Sequence, residues 1–219
     1  MNKFLLSLAC LIGAFTASAQ VEPHLGVRLS WDLNAPVTNL NDNVDFLNNG
    51  SGFSVGAFYD IPVYGALYFE PGLSFFYNTI GISDIIVNAE NAVIDGSLRN
   101  VGFRIPLVAG YRFDFTDDIA LSVFTGPQLN IGLSLKQHIN MPEGLKDYKD
   151  ILEDGKQYYG NGWHRLDMQW LFGVRFHYQD NFFAELTGGP GMTNIMGGKD
   201  FKGDHLRRNI FSIGVGYIF

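Results

Sequence analysis

From Leu166 to Tyr178 the chain reads LDMQWLFGVRFHY. Leu166, Met168, Trp170, Phe172, Val174, Phe176 and Tyr178 alternate there with Asp167, Gln169, Leu171, Gly173, Arg175 and His177. A helix repeats its faces every 3.6 residues, so a strict period of two specifies a strand with one wholly apolar face and one face that carries charge. The pattern returns in NVGFRIPLVAGYRF (100–113), IALSVFTGPQLNIGLSL (119–135) and IFSIGVGYIF (210–219). Such runs exceed the ordinary strand of about five or six residues and reach the roughly 9–11 that cross a bilayer at a tilt.

Eight runs are predicted, at roughly 24–32, 52–60, 64–78, 98–113, 119–135, 163–178, 182–193 and 208–219. Their connections alternate. Those at 61–63, 114–118 and 179–181 are short, and those at 33–51, 79–97, 136–162 and 194–207 are long. An even number of antiparallel strands with short turns on one side and long loops on the other predicts an all-β, eight-stranded up-and-down transmembrane β-barrel, its turns periplasmic and its loops extracellular. Aromatics fall at both predicted interfaces. Tyr59, Tyr111, Phe113, Tyr178, Phe182, Tyr217 and Phe219 lie toward the turns, and Trp31, Phe53, Phe75, Tyr77 and Trp163 toward the loops.

The amino terminus agrees with export. MNKFLLSLACLIGAFTASAQ has a Lys, an apolar run from Phe4 to Phe15 and the small-x-small triplet Ala17-Ser18-Ala19, which predicts a signal peptide over 1–19 and a barrel domain over 20–219. Cys10, the sole cysteine, lacks the flanking residues of a lipid-anchor site, and its removal with the signal leaves no thiol chemistry. Without Lys3 the chain keeps 14 basic against 22 acidic residues, a net of −8, which argues against a nucleic-acid partner. Aromatics at 15% with 26 glycines and only 17% charged residues are strand-and-turn composition.

A soluble eight-stranded barrel keeps its apolar face inside, around a ligand. Here the narrower face holds Arg28, Glu70, Arg104, Arg112, Asp167, Arg175 and Glu185, so those charges are predicted to line the interior while the broad apolar face meets outer-membrane lipid. A turn at 179–181 that pairs residues summing to 360 sets Arg175 opposite Glu185, and Glu70 and Arg104 are candidate neighbours. His24 and His177 read as interior filler near the turns. Pro71, Pro106, Pro127 and Pro190 fall inside predicted strands, where a residue that cannot donate to the ladder predicts bulges or missing bonds.

The phrases FRIPLVAGYRF, FTGPQLNIGLS and FSIGVGYIF resemble the porin-like outer-membrane barrel family of Gram-negative envelopes, which includes PorT-type proteins. The likeness runs through the whole chain after the signal and implies a fold rather than an activity. Phe211, Ile213, Val215, Tyr217 and Phe219 resemble the signal by which such barrels are recognised by the barrel-assembly machinery, a partner the resemblance therefore implies.

Function has fewer letters to stand on. Eight strands enclose about enough room for side chains, which leaves a conducting pore little space. His164 with Asp167 and Ser134, or His138, supplies residue types for hydrolysis but no motif spacing, and Asp147, Asp150, Glu153 and Asp154 lack the calcium-loop pattern, so no cofactor or metal is implied. Apolar loop residues are concentrated in Ile85, Ile86, Val87, Val93 and Ile94, on a hairpin around Ala89-Glu90, and in Leu145, Tyr148, Ile151 and Leu152, on an amphipathic helical turn. Either these pack together as a lid or they bind another envelope protein. The reading is a non-enzymatic membrane anchor whose surface loops bind envelope or extracellular partners, with a lipid-modifying enzyme or a small-solute pore as alternatives.

Overall fold

A computed structural model describes residues 23–38, 47–87, 92–139, 155–160, 162–196 and 205–219, with the backbone alone at 83–87 and 92–94. The predicted signal peptide and Leu145, Tyr148, Ile151 and Leu152 lie outside these residues. The strands are β1 (His24–Thr38), β2 (Leu47–Asn48), β3 (Gly50–Tyr64), β4 (Leu67–Val87), β5 (Ala92–Thr116), β6 (Ile119–Ile139), β7 (Leu166–Tyr178), β8 (Phe182–Gly189) and β9 (Leu206–Ile218). Apart from the short β2, they pair antiparallel in the ring β4-β3-β1-β9-β8-β7-β6-β5, which closes through β4–β5. Two-residue β2 continues the line of β3 along β4, through Leu47↔Ile82 and Asn48↔Gly81. The architecture is an eight-stranded barrel with one strand interrupted at Asn49.

The period of two decides which side faces in. Along β1, Leu25, Val27, Leu29, Trp31 and Leu33 are exposed outward, while Ser30, Asp32 and Asn34 are buried inside. On β9, Phe211, Ile213 and Val215 face out, and Leu206, Arg208, Ile210 and Ser212 face in. An apolar exterior around a polar interior is the inverse of a soluble barrel, and it is stable where lipid replaces water outside and closure leaves no unpaired edge. β9 is the closing seam, paired with β1 from Gly26↔Ile218 to Thr38↔Leu206 and with β8 from Phe182↔Tyr217 to Gly189↔Ile210.

Several boundaries differ from those read along the chain. The first short turn is Gly65–Ala66 rather than 61–63, and Gly65 supplies its positive φ of 57°. Gln179 and Asp180, with φ of 52° and 57°, turn β7 into β8 with the backbone twist a tight hairpin requires. The segment 79–97, counted among the long connections, is mostly strand, in keeping with its reading as a hairpin that extends the two flanking strands: β4 and β5 continue to pair as far as Val87↔Ala92. β8 stops at Gly189, so Pro190 lies beyond a strand that was expected to reach residue 193.

Pro71, Pro106 and Pro127 do not shift the register. β4–β5 pairing is interrupted between Pro71↔Leu107 and Ser74↔Arg104, β5–β6 pairing between Pro106↔Gln128 and Ala109↔Thr125, and the count resumes unchanged in both. At these three positions missing pairs occur and bulges do not; the irregularities fall at Pro62/Tyr64, where β3 carries a further proline, and at Ile82/Ile85, Val101/Gly102 and Asp114/Thr116. Proline lacks a donor but tolerates extended backbone, so a ladder secured on both sides loses one contact without slipping.

Candidate functional site

Two layers of charge fill the barrel. In the layer nearer the short turns, Arg175 of β7 donates from Nη1 to Glu70 Oε2 at 2.5 Å and from Nη2 to Glu185 Oε2 at 2.8 Å. Arg28 of β1 donates to Glu70 Oε1 at 2.5 Å and stands 3.5 Å from Glu185 Oε1. Two guanidinium groups thus meet two carboxylates, and the cluster is neutral. Phe58, Phe124 and Phe183 surround the Arg175 guanidinium, their centroids 5.0, 5.2 and 4.4 Å from it, so the aromatic faces take up the charge that the carboxylates leave uncovered. Phe124 fits because β7 carries Gly173 beside it, where a Cβ would come within 2.2 Å of the ring.

In the layer nearer the loops, Arg104 donates to Asp32 at 2.7 Å and Arg208 to Asp167 at 2.9 Å. Ser212 donates to the other oxygen of Asp32 at 2.6 Å, and Thr193 and Asn130 donate to Asp167. Gln128 donates to Gln169, which in turn donates to the Arg208 carbonyl. This layer is also two arginines against two carboxylates. Between the layers remains a cavity of about 30 Å³, room for roughly one water.

Of the expected interior charges, Arg28, Glu70, Arg175 and Glu185 come together in one layer, and Arg104 and Asp167 stand in the other. Glu70 and Arg104 are not partners, because the β4–β5 register sets Ser74 opposite Arg104 and Glu70 opposite Val108. Arg112 stands apart from both layers, at the short-turn rim, paired with Asp114 at 3.0 Å and with Asp180. Asp32 and Arg208 were missed, although their parity in the chain was readable: Asp32 shares the face of Arg28, four residues earlier, and Arg208 that of Ser212. His177 is buried with Nε2 2.8 Å from Ser122 Oγ, but His24 is exposed at the rim rather than inside.

The loop end is closed by apolar side chains. Segments 155–160, 162–165 and 190–196 fold into the mouth, where Tyr159, Trp163, Ile195 and Met196 pack with Ile80, Leu98, Leu135 and Leu206. Trp163 is therefore a plug residue, 8% exposed, and not a member of the outer aromatic belt to which it was assigned. Gly132 makes the fit possible, since a Cβ there would lie 2.1 Å from the Tyr159 ring. Tyr159 in turn donates to Asn100 at 2.8 Å. His164 is exposed while the Asp167 carboxylate is committed to Arg208, Thr193 and Asn130, so the residue types considered for hydrolysis are not assembled as a triad.

Comparison with solved structures finds similar barrels. Ail of Yersinia pestis, crystallised with the heparin analogue sucrose octasulfate, is 13% identical with a TM-score of 0.44, over 91% of this chain and 100% of its own. Neisserial surface protein A is 13% identical with a TM-score of 0.47, over 91% and 100%. The N-terminal β-barrel domain of Pseudomonas aeruginosa OprF is 13% identical with a TM-score of 0.36, over 90% and 100%. No curated protein sequence matches. The family described as "Outer membrane protein beta-barrel domain" matches residues 16–197, most of the chain, and the protein belongs to that family of outer-membrane barrels.

Proposed function

We propose that this outer-membrane barrel is a non-enzymatic anchor whose surface loops form a platform for a protein partner in the envelope or outside the cell. The observation that carries the reading is the filled interior: two neutral ion layers and an apolar plug leave no continuous passage for a solute among the described residues. A barrel that does not conduct delivers its function at its ends. The paired extension of β4 and β5 supports this, since it carries Ile85, Ile86, Val87, Val93 and Ile94 past the last β2 contact at Ile82. Leu145, Tyr148, Ile151 and Leu152 belong to the same proposal, as the second apolar element of the platform.

Biogenesis completes the reading. Residues 1–19 act as an export signal, and the alternation of Phe211, Ile213, Val215, Tyr217 and Phe219 serves recognition by the barrel-assembly machinery. Within the family, the phrases FRIPLVAGYRF and FTGPQLNIGLS favour a PorT-type relationship. The test of the platform is purification from native membranes in mild detergent, with identification of co-purifying proteins, beside a variant in which 136–162 is shortened. A partner lost with the loop supports the platform. Absence of any partner, together with stable unitary currents in planar bilayers that change when Arg104 or Arg175 is replaced, establishes the pore instead.

A further inference from the structure

On the outward wall, toward the loop end of β5 and β6, Arg99 stands directly opposite Lys136, and both side chains are exposed. Like charges set opposite each other across two strands repel. Among the described residues the ion pairs lie in the interior layers and at the short-turn rim, and none includes Arg99 or Lys136. Their neighbours in the same row bring no acid: Thr79 of β4 pairs with Arg99, and Gln157 bridges to Lys136. Asp95, on the same face of β5, is four residues on, about 13 Å along the strand. The juxtaposition is made by a bulge. Val101 pairs with Ser134 but Gly102 with Gly132, so Leu133 is an extra residue on β6. One extra residue reverses the facing of everything beyond it. Without it Lys136 would point into the barrel; with it Leu135 is buried in the plug and Lys136 is exposed beside Arg99.

The pair stands at the height of lipid head groups. Tyr111, in the aromatic belt toward the turns, and Arg99 are 12 residues apart on β5. That is about 40 Å along a strand, or about 30 Å across the bilayer at a tilt of ~40°. The apolar band of such barrels is about 25 Å tall, so Arg99 lies just beyond its far edge. The outward residues beneath the pair are apolar: Val101 and Phe103 on β5, Leu133 on β6, and Phe75 and Tyr77 on β4. A ligand here meets a guanidinium and an ammonium above and an apolar wall below. A phosphate satisfies both cations, since a guanidinium fork takes two oxygens side by side and an ammonium takes a third. Acyl chains attached to that phosphate continue down the wall. A free anion gains only the first of these contacts.

We propose that Arg99 and Lys136 hold the phosphate of a lipid in the outer leaflet, the leaflet at the loop end of a barrel whose short turns are periplasmic. The site lies on the outer wall and needs no protein partner, so it stands or falls separately from the loop platform. The test is native mass spectrometry of the protein folded in an uncharged maltoside detergent and titrated with diphosphoryl lipid A. The same lipid without its phosphates, and inorganic phosphate as competitor, are measured beside it. One lipid A binds saturably, and binding weakens about fivefold in Arg99→Gln or Lys136→Gln and about twentyfold in the double variant. It is unchanged in Arg207→Gln, an exposed cation on β9. The dephosphorylated lipid binds about tenfold more weakly or worse, with its charge-assisted hydrogen bonds gone, and inorganic phosphate at equal concentration displaces nothing. Lys136→Glu separates binding from folding: it gives Arg99 a partner, so the lipid-free protein loses its heat-modifiable mobility at a higher temperature while lipid A binding is abolished. The same gel checks that each variant folds, and if the double variant does not, the single variants decide. Absence of saturable binding, equal affinity in the Arg99 and Lys136 variants, an equal loss in Arg207→Gln, equal affinity for the dephosphorylated lipid, displacement by inorganic phosphate, or a lowered transition in Lys136→Glu overturns the proposal.

Discussion

Arg175 on β7 and Glu70 on β4 meet across the barrel at 2.5 Å, 105 residues apart in sequence and three strands apart around the ring. The contact ties opposite walls together through a group that is fully buried on both sides. Replacing Arg175 with Met leaves Glu70 and Glu185 facing each other with only Arg28 between them. The expected cost is about 3–5 kcal/mol, the penalty of a buried pair broken from one side. Urea unfolding in detergent, followed by gel mobility, measures it. Replacing Arg28, Arg175, Glu70 and Glu185 together with apolar residues recovers part of the loss, because no charge is then left unpaired; a quadruple variant as weak as the single one would contradict this.

The plug and the ion layers are successive barriers, and removing one leaves the other. In the double variant Tyr159→Ala, Trp163→Ala the mouth opens, but Arg104–Asp32 and Arg208–Asp167 still fill the section below it. Planar-bilayer recordings of this variant show no stable unitary currents. Persistent channels would mean that the plug alone seals the barrel.

Burial pushes the Tyr159 phenol above its ordinary value of 10, against the opposing pull of Arg208 and the Asn100 hydrogen bond. A raised folded-state value means that the plug keeps its full contribution below pH 10 and loses it as pH rises through the folded value. With Trp31 and Trp170 replaced by Phe, Trp163 is the sole tryptophan and reports the plug. Its emission stays constant up to about pH 10 and shifts to the red above it. Tyr159→Phe removes that shift.

Phe219 is 66% exposed on the lipid side, packs 5.1 Å from Tyr217, and donates its backbone N–H to Leu25 at the seam. Phe219→Ser is expected to slow membrane insertion and raise periplasmic degradation, read from pulse-chase levels of heat-modifiable protein. Unchanged levels would remove Phe219 from the proposed recognition pattern.

Strand identity and facing were legible in the chain because they depend on local parity: once Leu166 to Tyr178 alternates, one face must be lipid and the other interior, whatever the neighbours are. The Arg175–Glu185 pairing was legible for the same reason, since a tight turn at 179–181 sets the register of its own hairpin. Parity cannot say which interior charges meet. Glu70 misses Arg104 because the β4–β5 register offsets them by four residues, and it finds Arg28 and Arg175 because strand tilt and ring closure set the heights of side chains on strands that share no turn. The plug was hidden for a related reason. Tyr159 and Trp163 sit in a connection without period, and only the closed barrel, with Gly132 clearing a space on its wall, gives them an apolar mouth to enter.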